Sequence, residues 1–427
     1  MQRVLVIICL CFTTALSAQE AWDLERCIQY ALTNNITVQQ SKLNVDRAEV
    51  NSKFSKLNLL PSLNAGATHG YNFVQRIDPF TNQFASERVR TNNLFLSSSL
   101  DVFNGFSKMN TMRQNKEDLM ASEYDLQNIQ NDISMQVCLA YLRVLLAKET
   151  LTVNQNQVNL TSQQVDRMAK LVDAGQMPRG NLYDLQSQLA QEELNVVTSE
   201  NSVNLELLTL TQLLQLEPEV AAQFDIVKPD LSDKGVELMS QTPQDIYIRA
   251  KQSLPEVQAA EARQRSAEYA LSSSKGNLYP SLQLSGSLGS GYSGINDVQV
   301  GDGTNVGFVP IGQVSSTGEQ VITLQEQTVF GDEDFETKPF SDQLADNFNQ
   351  NLQLTLSIPI FNGWFTKSTV ERAKIDQVNA DLNYRQVTTD LRFDVEQSYA
   401  DAKAAMNTYI ASEKAVSALQ ESFKYAI

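Results

Sequence analysis

Apolar positions along this chain follow two different periods, and the alternation between them predicts the elements. From Ser107 to about Ala174 there is neither proline nor glycine. Leu126, Ile129, Ile133, Val137, Ala140 and Val144 step by three and four, one stripe of an α-helix. Val144, Leu151, Val158, Val165 and Val172 then recur every seven residues, as do Leu182, Leu189, Val196, Val203 and Leu210 further on, with companions at Leu185, Leu207 and Leu214. Heptad spacing predicts two long helices packed as a coiled coil, the first running about 100 Å at 1.5 Å per residue. Between them DAGQMPRGN, Asp173 to Asn181, carries Gly175, Pro178 and Gly180 and reads as a hairpin tip.

Elsewhere the period is two. Leu94, Leu96, Ser98, Leu100 and Val102 share one face of a strand, against Phe95, Ser97, Ser99 and Asp101. Leu352, Leu354, Leu356, Ile358 and Ile360 stand against Gln353, Thr355 and Ser357, and a weaker strand sets Leu282, Leu284 and Leu288 against Gln283, Ser285 and Ser287. One apolar and one small polar face is what the wall of a membrane β-barrel requires, an amphipathic strand of a soluble sandwich being the other reading. Aromatic residues favour the barrel: Phe103, Phe106, Tyr279, Phe361 and Trp364 cluster at one end of the strands, and Tyr71, Phe73 and Tyr292 at the other, as in the girdles at two membrane interfaces.

These elements come twice. LLPSLNAGATHGYN (Leu59 to Asn72) matches LYPSLQLSGSLGSGYS (Leu278 to Ser293), with Pro61 and Pro280 in register. NLFLSSSLDVFNGFSK (Asn93 to Lys108) matches NLQLTLSIPIFNGWFTK (Asn351 to Lys367), where Asn104-Gly105 and Asn362-Gly363 mark the strand-to-helix turns. Each first block follows a helical stretch, Leu24 to Leu57 and Pro243 to Gly276, the second split by Pro255. The expected organisation is a first helix–strand–strand–helix repeat over 19–218, a proline-punctuated linker or lateral region over 219–242, and a second repeat over 243–427. The strands of a pair are joined by loops, from about Val74 to Thr91 and from about Gly294 to Asn347; long loops on one side suit an extracellular face.

Composition narrows the function. The N-terminal MQRVLVIICLCFTTALSAQE, with Arg3, an apolar run from Val4 to Phe12 and small residues at Ala15, Ser17 and Ala18, reads as a secretory signal peptide over residues 1–18. Leu10 before Cys11 is too large for a lipoprotein site. Beyond that segment no apolar run reaches transmembrane-helix length, which leaves barrel strands open. A net charge of −17 disfavours nucleic acid as a partner. It fits a well-solvated surface or, more sharply, a cation-favouring duct. Cys27, Cys138 and the single His69 supply no disulfide framework, zinc spacing or acid–base constellation. No phosphate loop or hydrolase layout occurs, so neither an enzyme nor a cofactor is expected. The acidic run Gly331 to Glu336 reads as a solvated loop before a metal site.

Four strands do not close a barrel, and each unpaired backbone group in lipid costs several kcal/mol. Copies must therefore pool strands. Two would make a barrel filled by side chains; three give twelve strands and an open lumen, the simplest solution.

The layout resembles the TolC family of outer-membrane efflux proteins over essentially the whole mature chain, most specifically at SIPIFNGW (Ser357 to Trp364) and AGQMPRGNLYDLQSQLAQEELN (Ala174 to Asn195). The resemblance implies an α+β membrane protein: a long antiparallel coiled-coil helical barrel across the periplasm, with four transmembrane strands per chain in a shared trimeric β-barrel. It implies a homotrimer in the outer membrane of a Gram-negative bacterium, in contact with outer-membrane lipid. A periplasmic adaptor would dock at Gly175, Gln176, Met177, Pro178 and Arg179 and link the duct to an inner-membrane pump, for efflux or type I secretion. The same tip residues also suit a plain helix hairpin. A non-conducting coiled-coil envelope protein is the alternative. Gly175 lies seventy residues after Gly105; the same interval from Gly363 ends at about position 433, past Ile427, so the second tip and the C-terminal returning helix are expected to be missing.

Overall fold

The protein is described by a computed structural model over residues 21–77, 84–229, 241–322 and 325–426. The signal-peptide segment 1–18 and residues 230–240 of the linker lie outside the described residues. The described residues fall into two compact units, one within Met1–Ser52, Arg113–Glu268 and Ile375–Ile427, the other within Lys53–Met112 and Tyr269–Lys374.

The first unit is helical. α1 (Leu24–Asn34) and the start of α2 (Ile36–Leu57) are followed by most of α3 (Ser107–Asp173), then α4 (Arg179–Leu214), the short α5 (Pro218–Ala221), α6 (Pro243–Ser253) and the start of α7 (Pro255–Gly276). Most of the last helix, labelled α9 (Phe365–Ala426), also belongs here. The stripe read from the sequence is the core: Ile133, Val137, Ala140 and Val144 of α3 pack with Cys27 and Ala31 of α1, Val38 of α2, and Leu210 and Leu214 of α4. Burial raises the Cys27 thiol to about 12, so it packs as a small apolar group.

At the edge of this core Trp22 and Ile226 form a parallel bridge, which ties the chain start to the linker. Tyr141, 1% exposed, secures it: its hydroxyl donates to the carbonyls of Trp22 (3.1 Å) and Val227, sharing one proton. Burial, reinforced by the nearby Cys27 and Asp23, raises the phenol to about 12, which keeps that proton in place at neutral pH.

Pro255 separates α6 from α7 as expected, but the stretch from Leu24 to Leu57 is broken too, at Asn35. Asn35 and Leu254 take the same extended conformation (ψ 126° and 129°). The Asn35 Oδ1 accepts from the Thr37 N–H (2.9 Å) while its Nδ2 donates to the Leu213 carbonyl (3.3 Å), and Gln215 Oε1 accepts from the Ile36 N–H. An asparagine that caps the following helix does here what a proline does in the second stretch.

The second unit holds a four-stranded antiparallel sheet in the order β1 (Ser62–Ile77), β2 (Phe84–Asn104), β3 (Ser281–Ser293), β10 (Asn349–Ser357). The expected loop from Val74 to Thr91 is largely strand, because β1 and β2 pair from Ser62↔Ser99 to Ile77↔Phe84. The Gly294–Asn347 segment is not a plain loop. It forms three short two-stranded ribbons, β4 (Asp297–Gln299) with β9 (Phe335–Thr337), β5 (Thr304–Gly307) with β8 (Gln327–Val329), and β6 (Pro310–Gln313) with β7 (Gln320–Ile322), then helix α8 (Phe340–Asp346). The fully buried Gln343 of α8 clamps this segment to β3: it accepts from the Ser293 N–H (2.9 Å) and donates to the Ser293 (3.0 Å) and Lys338 (2.8 Å) carbonyls.

Ile358 and Ile360, read as strand positions, lie beyond β10. The ladder stops at Ser357↔Ser281, where β3 itself begins after Pro280, and Pro359 has no N–H to extend it.

Candidate functional site

The register sorts the sheet into two faces. Leu96 lies between Ala65 and Leu288, and Leu284 lies between Leu100 and Leu354, with Leu94, Leu282, Leu352 and Leu356 in the same alternation. A bulge between Asp101 and Phe103 brings Phe103 opposite Leu282, so Val102 and Phe103 both join the apolar side. Phe103 stacks edge-on against Phe106 (5.3 Å between centroids), which sequence alternation alone did not place.

The opposite face is small and polar, with Ser62, Asn64 and Thr68 on β1, Ser97 and Ser99 on β2, Ser285 and Ser287 on β3, and Asn351, Gln353 and Thr355 on β10. Asp101 is ion-paired with Lys108 (2.7 Å). Phe95 is the exception. It sits between Gly66 and Gly289, and its ring covers Gly66, where an added Cβ would come within 2.4 Å of it. Gly66 makes room for the only aromatic side chain placed on this face among the described residues of the sheet.

Phe103 and Tyr292 lie near the ends of β2 and β3, whereas Tyr71 and Phe73, read as end positions, lie inside β1, because the β1–β2 ladder runs on to Ile77↔Phe84. Tyr71 is opposite Arg90, and Tyr292 opposite Asn92. The Arg88 guanidinium lies 4.8 Å over Tyr71 and that of Arg90 4.6 Å over Tyr292, so each ring carries a cation that the sequence reading missed. Phe73 is 77% exposed. At the other end Leu278, Ile360, Phe361 and Trp364 line one shallow cavity; Tyr279, next to Leu278, and Phe106 are also exposed. From Leu282 to Tyr292 β3 rises about 33 Å along its axis; with the usual barrel tilt that matches an apolar band of about 25 Å.

The strand-to-helix turns have a shared geometry. Gly105 and Phe106 are both left-handed (φ 62°), and so are Gly363 (65°) and Trp364 (68°). The Asn104 side chain accepts from the Lys108 N–H, and the Asn362 side chain accepts from that of Thr366. Pro61 and Pro280 stand just before β1 and β3.

The helix hairpin ends α3 in a Schellman turn. Gly175 (φ 71°) donates to the Val172 carbonyl and Gln176 to that of Leu171, both at 2.9 Å. Pro178 then caps α4, and Gly175, Gln176, Met177, Pro178 and Arg179 are all exposed. Among the described residues no cluster of three or more His, Cys, Asp or Glu side chains is placed to hold a metal ion, and no helix is long and apolar enough to cross a membrane.

A sheet with one leucine-rich face and one small polar face, in a chain that also forms long helices, fits the class of channel-forming membrane proteins. The profile of the outer membrane efflux protein family matches residues 27–215 and 246–426, and the chain belongs to that family. Solved structures agree on the fold. CusC, described as forming a transmembrane channel, is 16% identical with a TM-score of 0.69, over 91% of this chain and 79% of that one. The outer membrane protein VceC of Vibrio cholerae is 15% identical with a TM-score of 0.69 (92% and 82% covered), and the CmeC outer membrane channel of Campylobacter jejuni 15% with 0.66 (91% and 74%). No curated protein sequence matches. The protein is thus a member of a family of outer-membrane efflux channels, located in the outer membrane of a Gram-negative cell and reaching into the periplasm, and not an enzyme.

Proposed function

We propose that the chain is one protomer of a homotrimeric exit duct in a tripartite efflux pump or type I secretion system, transporting passively while an inner-membrane pump supplies the energy. The observation that carries this reading is the sheet: β1 and β10 each pair on one side only among the described residues, in a sheet whose outer face is leucine-rich. In lipid both edges must be paired, and three copies joined β10 to β1 make twelve strands with the serine-rich face inward. The chain is two tandem repeats, 19–218 and 243–427, joined by the 219–242 linker and exported by the 1–18 signal peptide. Leu94, Leu96, Leu100, Val102, Leu352, Leu354 and Leu356 face lipid. Tyr71, Phe73 and Tyr292 sit at one membrane interface, and Phe103, Phe106, Tyr279, Phe361 and Trp364 at the other.

The duct is tested by conductance of the purified full-length protein in a planar bilayer. Discrete ion-conducting steps are expected. Insertion without conductance would favour a non-conducting coiled-coil envelope protein.

The exposed tip from Gly175 to Arg179 docks a periplasmic adaptor. Arg179 is the first residue of α4, where a cation opposes the helix dipole by roughly 0.3–1 kcal/mol, and its side chain is exposed. Met177→Asp or Arg179→Asp is expected to reduce adaptor crosslinking severalfold in cells and to leave trimer assembly unchanged. Undiminished crosslinking would remove the tip from the docking surface.

A further inference from the structure

The chain contains a seam between its two halves, and the same two helix surfaces recur, uncovered, at its outer edges. α1 and α6 are both 11 residues long and α2 and α7 both 22, related by a constant shift of 219 (Leu24 to Pro243, Ile36 to Pro255). The left-handed pairs Gly105-Phe106 and Gly363-Trp364, followed by the starts of α3 at Ser107 and α9 at Phe365, are related by a shift of 258. The two shifts convert every α3–α7 contact into a pair of positions on α9 and α2.

Inside the chain the seam is close and polar. Ser273 Oγ lies 3.0 Å from Ser107 Oγ and 2.9 Å from Thr111 Oγ1. Ser266 donates to the Asp118 carboxylate. The Gly105 and Gly276 backbones touch, so that a Cβ on Gly105 would fall 2.1 Å from the Gly276 carbonyl oxygen. Shifted, Ser107 becomes Phe365 and Ser273 becomes Phe54; Asp118 becomes Asp376 and Ser266 becomes Arg47; Gly276 becomes Leu57, and Gly105 becomes Gly363. Phe54 is 65% and Phe365 72% exposed in the single chain, and an added Cβ on Gly363 would meet nothing within 4 Å. Arg47 and Asp376 are exposed and form no ion pair with any described residue.

We propose that α9 of one copy docks on α2 of the next in the register that α3 keeps against α7, with Phe365 on Phe54 and Asp376 on Arg47 of the next copy. The occupant is a second copy of this chain, because the interface it completes already exists once within it. The contact rests on the trimeric reading above and supplies its register. Opposite charges meet where like residues would repel, and two exposed phenylalanines are covered together. The contact is head-to-tail, each copy offering α9 and receiving on α2, the kind that generates a ring when the rotation between copies closes, as it does after three copies in the trimeric reading. The same shifts place Ile358 and Ile360 at the positions of Leu100 and Val102, opposite β1 of the next copy. Ile360, 94% exposed in the single chain beyond the end of the β3–β10 ladder, is covered there. The Glu117–Arg265 ion pair becomes Ile375 and Asp46, so not every polar contact is reproduced.

The test is a cysteine pair, Phe54→Cys with Phe365→Cys, in the full-length protein in isolated outer membranes. Hydroxyls 3.0 Å apart at the corresponding intrachain positions put the two Cβ atoms within reach of a disulfide. Oxidation is expected to produce covalent dimers and trimers that reducing agent removes, absent from either single variant and from the mis-registered pair Phe54→Cys with Leu382→Cys. In parallel, Arg47→Asp is expected to lower the temperature at which the trimer dissociates in detergent, and adding Asp376→Arg to restore it. A trimer by native mass spectrometry without the Phe54–Phe365 crosslink, or with charge reversal that is not rescued, overturns the register and leaves the trimer standing. A single-chain mass overturns both.

Discussion

Gly105→Ala is expected to lower the stability of the folded chain by about 2–4 kcal/mol, combining the left-handed backbone cost of ~1 kcal/mol with overpacking of ~1–3 kcal/mol. Gly105 has φ 62°, and its added Cβ would sit 2.1 Å from the Gly276 carbonyl oxygen, a backbone atom with no rotamer in which to escape. Gly276→Ala meets the same wall from the other side, 2.7 Å from the Gly105 carbonyl oxygen and 2.9 Å from Ser107 Cβ. Both should show a lowered thermal midpoint of the helix signal and a reduced yield of extracted protein. Gly180→Ala, open on all sides within 4 Å and inside α4, is the control and should be neutral or slightly stabilising. A Gly105→Ala midpoint equal to wild type would mean that the two turns do not touch.

Leu96→Arg should block stable membrane insertion, whereas Ser97→Arg, one residue on, should insert normally. Leu96 is mid-way along the apolar face, flanked by Ala65 and Leu288; Ser97 lies on the polar face between Asn64 and Ser287. An arginine facing lipid at the bilayer midplane costs about 2–4 kcal/mol, and the same residue in a wet lumen costs little. Membrane fractionation reads the difference: loss of the Leu96→Arg chain from the outer-membrane fraction, with Ser97→Arg retained and its conductance reduced. Equal insertion of both would mean that the leucine face does not meet lipid.

Local pattern made much of this legible. Ile133, Val137, Ala140 and Val144 formed a visible stripe because a helix repeats every 3.6 residues, and the same four are core. The faces of β2 and β10 were legible through Ser97 and Thr355 because strands alternate. The break at Asn35 was not read: its cap on the Thr37 N–H is local, but the bonds that tie Asn35 and Ile36 to Leu213 and Gln215 come from about 180 residues away. The cations over Tyr71 and Tyr292 depend on which residues the ladder brings opposite, and register is not a local property. The tip from Gly175 to Arg179 was legible as a turn, since a left-handed glycine closes a Schellman motif in any helix hairpin. That same generality is why its docking role rests on function and not on shape.

By itself the sequence determined the long helices and the two-faced strands, because these are written in periods of two, three to four, or seven residues, while the duplicated blocks and the family resemblance were carried by matching motifs such as Phe103-Asn104-Gly105 and Phe361-Asn362-Gly363. Only the tertiary structure decided that β2 and β3 sit side by side while β1 and β10 stay open, that the 294–347 segment folds into ribbons clamped by Gln343, and that Gly105 meets Gly276. The reason is physical: periodicity fixes which face of an element is apolar, but which neighbour covers that face is settled by contacts between residues distant in sequence, fifty positions apart for Gln343 and Ser293 and far more for Gly105 and Gly276.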